Sequence, residues 1–166
     1  QFVLGEDIGR AMTRAAGMAR KGYTYSYDML GEAALTEADA RAYHLSYSEA
    51  ISVIASACVQ DDIRENPGIS VKLSALFPRF ERAQEQQVME QLVPRLSALA
   101  LLAKSAGMGL NVDAEEADRL SLSLQVVEAV LANPALAGWD GFGVVVQAYG
   151  QRPPHVIAAL YDMARP

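Results

Sequence analysis

Residues that commonly build metal sites are scarce in this sequence. Cys58 is the only cysteine, and His44 and His155 are the two histidines. A single thiol excludes a disulfide within the chain and a cysteine-rich metal site. Cys58 lies in an apolar helical pattern, so we interpret it as a buried structural thiol. We interpret both histidines as structural, because neither has a second histidine at metal-ligand spacing.

Long apolar runs and excess positive charge are also missing. No stretch is apolar enough to span a membrane, and Glu6, Asp7 and Arg10 interrupt the apolar start, so no secretory signal is recognised. The formal net charge of −6 argues against nucleic acid as a partner. With 166 residues and 51% of them hydrophobic, the chain can bury one core. We expect one domain, or a piece of one, with a cytoplasmic address.

Alternating strand and helix patterns run along the chain. Period-two alternation predicts strands at 22–28, where the tyrosines share one face, at 69–73, from 110 onward and at 143–148. Apolar residues at three-and-four spacing predict helices at about 6–20, 40–58, 83–106 and 121–131, and from Pro153 onward. Thr36 and Asp39 resemble a capping box, and Pro94 is expected to kink or split its helix.

Two architectures have this alternating order, an open doubly wound sheet and a (β/α)8 barrel. The glycine-rich first turn of a dinucleotide-binding sheet is missing after every strand. We therefore predict an α/β, TIM-type barrel. Residues 1–166 would supply about the first four of its units, preceded by a leading helix, since a complete barrel needs about 250 residues.

Polar side chains lie at the carboxyl ends of the predicted strands or in the loops that follow them. They are Asp28, Glu32, Lys72, Asp113 and Gln147. In a barrel the carboxyl ends of the strands carry the chemistry. Lys72 and Asp113 occupy the polar phase of apolar strands, so they would face each other or a shared ligand. The alternative is that Lys72 extends into solvent and Asp113 caps the following loop.

Four carboxylates lie close together from Asp113 to Asp118. Such a cluster is either a solvated loop or a site that uses negative charge. One rival function is a divalent-metal-dependent barrel enzyme that uses Asp113, Glu115 and Glu116 as ligands. Another is a non-catalytic half-barrel that associates through its open sheet edges.

Four runs of sequence resemble the proline dehydrogenase domain of bacterial proline utilization A. They are GYTYSYDMLGEAALT at 22–36, GISVKLSAL at 68–76, GLNVDAEEAD at 109–118 and VVQAY at 145–149. The likeness extends over essentially the whole chain. It implies a distorted (β/α)8 barrel that binds FAD non-covalently and oxidises L-proline to Δ1-pyrroline-5-carboxylate. It also implies electron transfer to a membrane quinone, and hence membrane association of the full-length protein.

The resemblance also assigns roles to individual residues. Lys72 would help bind the substrate carboxylate, and Glu32 would pair with a mobile arginine that closes the site. A carboxylate ligand needs a fixed cation, which agrees with the role of Lys72.

The remaining assignments concern the flavin. Asp113 and Ala114 would line the site beside it, while Val145 and Gln147 would contact its ring. A neutral amide such as that of Gln147 suits a ring carbonyl or nitrogen.

Two departures from the family pattern matter. Phe77 stands where many relatives have histidine, so a polar contact there is not expected. The family's second half is absent, including the arginine beside the flavin, the loops for the FAD phosphates and the last helix. Its DNA-binding and aldehyde dehydrogenase regions are absent as well. We therefore expect the first half of a catalytic barrel within a longer polypeptide, inactive without the remaining half.

Overall fold

A single sheet of four parallel strands organises the fold. The computed structural model describes residues 3–165, so residues 1, 2 and 166 of the predicted domain lie outside it. The strands are β1 (Ser26–Asp28), β2 (Gly68–Val71), β3 (Leu110–Val112) and β4 (Phe142–Val144). Their order in the sheet is β1-β2-β3-β4 and every pair is parallel. A doubly wound sheet reverses its order at a switch point, whereas this order runs one way, as around a barrel.

Helices connect and flank the strands. They are α1 (Ile8–Ala19), α2 (Glu37–Ala55), α3 (Leu73–Leu76), α4 (Glu85–Ser105), α5 (Leu120–Leu131) and α6 (Pro153–Ala164). Thr36 and Asp39 form the predicted capping box at the start of α2. Within residues 3–165, none of the helices has the length and apolar character needed to cross a membrane.

The core lies on one face of the sheet. Ile69, Val71 and Leu110 are fully buried there against apolar residues of α2 and α4. Burying each such side chain stabilises the fold by roughly 1.5–3 kcal/mol. On the opposite face Ser26 and Ser70 are exposed or half-buried. One apolar face and one polar face agree with helices packed on a single side of the sheet.

The strands are shorter than the alternation predicts. β1 begins at Ser26 rather than at 22, and Tyr23 is 58% exposed. Tyr25 and Tyr27 stack with ring centroids 5.9 Å apart, so two of the three tyrosines share the predicted face. The predicted strand 69–73 ends at Val71, because the chain turns into α3 and buries Leu73 there.

Other helix and strand details also differ. β4 occupies Phe142–Val144 rather than 143–148. Pro94 does not split α4, which runs unbroken from Glu85 to Ser105 with Pro94 exposed to solvent. Cys58 lies beyond the end of α2 and is half-buried, and burial raises the pKa of its thiol. A raised pKa keeps the thiol protonated and supports a structural role.

Candidate active site

Lys72 lies at the carboxyl end of β2, between two carboxylates from the neighbouring strands. Its Nζ donates to Asp28 Oδ2 at 2.7 Å and to Asp113 Oδ2 at 3.2 Å. The side chains of Asp28, Lys72 and Asp113 are here called the charge layer. The parallel register brings them together, because Asp28 aligns with Ser70 and the Asp113 N–H donates to the Val71 carbonyl. The Lys72 side chain is only 17% exposed, so the alternative in which it extends into solvent is wrong.

Burial and the neighbouring charges shift the pKa values of Lys72 and Asp113. Burial would lower the pKa of Lys72, but its hydrogen bonds to Asp28 and Asp113 and their charges outweigh burial and raise it. Burial raises the pKa of Asp113, and repulsion from Asp28 adds to this rise while Lys72 opposes it. Because Lys72 lies nearer to Asp28, its attraction to Asp113 only partly offsets the effect of burial on the pKa of Asp113. One cation thus serves two acids, and the layer carries a net negative charge when both are ionised.

Tyr47 of α2 supports this layer from the core. Its hydroxyl accepts a hydrogen bond from the Lys72 backbone N–H at 3.2 Å. The side chain is 1% exposed, and burial raises the pKa of Tyr47 to about 12, so the hydroxyl remains protonated. In the sequence, Tyr47 is only one of the apolar-spaced residues of the predicted helix 40–58, and nothing there assigns a partner to its hydroxyl. A buried tyrosine usually finds one for its hydroxyl, which is the signal that could have revealed this contact.

A cavity of about 370 Å³, here called the mouth cavity, opens at the carboxyl ends of the strands. Glu32, Lys72, Ala114 and Gln147 all line it. Glu32 and Gln147 are exposed, whereas Lys72 and Ala114 are half-buried. The structure thus brings four of the predicted site residues around one space.

An adjoining apolar groove of about 290 Å³ lies beside α5 and α6. Asp113, Ala114, Val145 and Gln147 line it, and Ala114 and Gln147 border the mouth cavity too. Val145 is 43% exposed and follows the end of β4. All the predicted site residues therefore border one or both of two neighbouring spaces.

The carboxylates of the acidic cluster have different partners. Glu115 accepts a hydrogen bond from the Ser74 N–H at 3.0 Å, and Glu116 lies 3.1 Å from Arg119. Asp113 is paired with Lys72. Among residues 3–165, no group of three or more His, Cys, Asp or Glu side chains is arranged to hold a metal ion. The ligand set of the metal-dependent rival therefore does not converge.

Three further residues singled out in the sequence lie away from both spaces. His44 is half-buried on α2 with no hydrogen-bond partner at Nε2, and burial lowers its pKa. His155 is exposed in the first turn of α6. Phe77 is 5% exposed and packs as an apolar side chain in the core.

Sequence comparison places the chain among known proteins. The pattern of the proline dehydrogenase family matches residues 11–166. The chain belongs to the proline dehydrogenase family. It is 56% identical to the bifunctional protein PutA of Salmonella typhimurium and 51% identical to that of Rhizobium meliloti, with 99% of the chain covered in each case. It spans only 12% and 13% of the lengths of these relatives.

Solved structures of proline utilization A agree with this family assignment. A mutant of the Bradyrhizobium japonicum protein superposes with a TM-score of 0.87 at 51% identity, covering 99% of this chain and 17% of that one. The Bdellovibrio bacteriovorus protein inactivated by N-propargylglycine superposes with a TM-score of 0.89 at 26% identity, covering 98% and 18%. The predicted family and fold class are confirmed.

Proposed function

We propose that this proline dehydrogenase chain is the first half of a (β/α)8 barrel that oxidises L-proline to Δ1-pyrroline-5-carboxylate with FAD. In the proposal it belongs to a longer polypeptide that passes the electrons to a membrane quinone. The observation that carries the proposal is the cation of Lys72, held by Asp28 and Asp113 at the mouth of a cavity.

The charge layer suits an amino acid with a carboxylate and an ammonium group. The Lys72 ammonium has three N–H donors, and Asp28 and Asp113 accept two of them. One donor remains for a substrate carboxylate, and a charge-assisted hydrogen bond of this kind is among the stronger ones. The two acids attract the substrate ammonium. The same three side chains thus bind both charged ends of L-proline.

The apolar groove suits the ring of FAD in the chemistry of its walls. Val144 and Val145 offer apolar surface, and the Gln147 amide offers both a donor and an acceptor at the edge. Gln147 would hydrogen-bond the polar edge of the ring and Val145 would pack against it, with Asp113 and Ala114 beside it. When bound, FAD supplies the two-electron chemistry of the oxidation, while the protein orients the substrate.

The sheet edges suggest the immediate partner. β1 and β4 each pair on one side only within residues 3–165. Open parallel edges are unfavourable when exposed, and closure of a barrel removes them. We propose that the remaining half of the barrel pairs with both edges and supplies the arginine that pairs with Glu32.

The experiment uses the full-length polypeptide. It should purify with a flavin absorbance band that L-proline bleaches under anaerobic conditions and that a quinone restores. N-propargylglycine should inactivate it, as in the Bdellovibrio bacteriovorus relative. A colourless enzyme that loses activity with a chelator would support the metal-dependent rival instead. A flavin-free protein whose mass rises with concentration would support the non-catalytic half-barrel.

A second measurement tests where the cofactor binds. We expect residues 1–166 alone to bind FAD weakly, because this half has no assigned site for most phosphate contacts. Titration followed by flavin fluorescence measures the affinity. Tight stoichiometric binding would show that the proposed cofactor site is in the wrong place.

A further inference from the structure

Ser74 of α3 connects two loops of the candidate site. It is 3% exposed and lies just beyond Lys72. Its Oγ accepts from the Ala33 N–H at 3.0 Å and its carbonyl accepts from the Ala34 N–H at 2.8 Å. Its own N–H donates to Glu115 Oε1 at 3.0 Å. One buried residue therefore joins the loop after β1 to the loop after β3.

The loop after β1 depends on this support. Ala33 has φ 50°, in the left-handed region that a residue with a Cβ rarely adopts. Such a conformation persists when surrounding contacts determine it. The two hydrogen bonds from Ala33 and Ala34 to Ser74 are such contacts, and Glu32 directly precedes Ala33. The position of Glu32 is thereby tied to α3.

The second connection runs through Glu115. Its side chain is only 10% exposed, and its second oxygen lies 3.7 Å from Arg119 at the start of α5. Glu115 comes two positions after Asp113 and directly after Ala114. A hydrogen bond from a backbone N–H to a half-buried carboxylate is a charge-assisted contact. The loop that carries Asp113 and Ala114 is therefore anchored to the same residue as the loop that carries Glu32.

We propose that Ser74 and Glu115 are positioning residues that couple these two loops. The hydrogen bonds from Ala33 to Ser74 and from Ser74 to Glu115 fix the position of the loop that carries Glu32 relative to the loop that carries Asp113 and Ala114. The inference rests on the proposed function for the roles of Glu32, Asp113 and Ala114. The coupling itself depends only on the hydrogen bonds.

The test compares variants of the full-length polypeptide by hydrogen exchange without substrate. Glu115→Ala should accelerate exchange in peptide 113–119 and also in peptide 29–36, although the side-chain partners of Glu115 are Ser74 and Arg119, which lie outside 29–36. Loss of about one net hydrogen bond corresponds to roughly a five- to tenfold increase. Ser74→Ala removes only the Oγ acceptor, so it should accelerate 29–36 and leave 113–119 unchanged.

Two further variants distinguish loss of the coupling between the loops from a general loss of stability. Glu115→Gln keeps an oxygen that can accept from the Ser74 N–H, so it should restore parental exchange in 29–36. Ser48→Ala is the control, because the hydroxyl of half-buried Ser48 donates within its own helix to the His44 carbonyl. Parental exchange of 29–36 in Glu115→Ala would overturn the coupling, and so would failure of Glu115→Gln to restore it.

Kinetics then connect the coupling to the proposed function. Ser74→Ala should raise the KM for L-proline about five- to tenfold with kcat within about twofold, because ground-state positioning is lost. A KM equal to that of Ser48→Ala would overturn the positioning role. If the parent protein does not oxidise L-proline, the proposed function fails, whereas the exchange pattern still decides the coupling.

Discussion

The ammonium group of Lys72 lies 2.7 Å from the carboxylate of Asp28, although 44 positions separate them in the chain. The sequence places Asp28 at the carboxyl end of a predicted strand, and it pairs Lys72 with the Asp113 region without naming Asp28 as a partner. Adjacent parallel strands carry the two residues to the same end of the sheet. The shared cation makes the Asp28–Lys72–Asp113 layer sensitive to the loss of any member.

Lys72→Met should weaken binding of cyclopentanecarboxylate to the full-length polypeptide. One charge-assisted contact is lost, which is worth roughly 1.5–3 kcal/mol, or about a ten- to hundredfold loss of binding affinity. The flavin absorbance should not change. Cyclopentanecarboxamide, a neutral analogue, should bind with nearly unchanged affinity. Equal weakening of both ligands, or loss of the fold, would mean that Lys72 is structural.

Asp28→Asn should have the opposite effect on the same ligand. The amide keeps an oxygen that accepts from Lys72 but removes a negative charge that repels a carboxylate, so binding should tighten by about 1 kcal/mol. Calorimetric titration of cyclopentanecarboxylate measures this. Asp118→Asn, at an exposed acid of the neighbouring loop, is the matched control and should change affinity much less. Weaker binding in Asp28→Asn would show that its charge is needed to hold Lys72 in place.

Gln147→Ala should weaken FAD retention or shift the flavin potential in the full-length polypeptide. Gln147 is the amide that borders both the groove and the mouth cavity. With FAD saturating, affinity for cyclopentanecarboxylate should remain close to the parent value. Gln86→Ala, at an exposed glutamine of α4, serves as the control. An effect confined to proline binding would contradict the flavin assignment.

Gly143→Ala should destabilise the chain by about 1–3 kcal/mol through overpacking. A Cβ at Gly143 would lie 2.0 Å from Asn111 Oδ1, so Asn111 would have to leave the contact that its Nδ2 makes with Ser26 Oγ. Gly17→Ala in α1 meets nothing within 4 Å and should stabilise by about 0.5–1 kcal/mol. Urea midpoints measured by circular dichroism compare the two variants. A neutral result at Gly143 would mean that Asn111 moves at little cost.

His44→Gln should reduce the loss of stability on acidification. Burial lowers the pKa of His44 in the fold below its ordinary value of 6.5; hydrogen bonding that involves Arg95 opposes this, and the Arg95 charge adds to the lowering. The unfolded chain then takes up the proton first as the pH falls. The contribution of His44 to stability is therefore present above about pH 6.5 and is lost below it. Urea midpoints at pH 7.5 and 5.5 should differ less in the variant, and an unchanged difference would contradict this.

Much of the fold could be predicted because its signals are local. The stripe of α2 and the capping box at Thr36 depend on residues three or four positions apart. Strand ends were less predictable. Alternation continues through Lys72 and Leu73, although the hydrogen-bonded ladder ends at Val71 and α3 begins. Local alternation carries no information about where the neighbouring strand stops.

The sequence by itself determined the order of strands and helices, the parallel sheet and the polar phase that places Lys72 and Asp113 together, because each follows from side-chain periodicity. The tertiary structure alone decided that Asp28 shares the cation, that Tyr47 supports it and that Ser74 joins two loops. These contacts link residues 25 to 44 positions apart. Strand register and helix packing bring such residues within hydrogen-bond distance, and neither is encoded in the spacing of nearby residues.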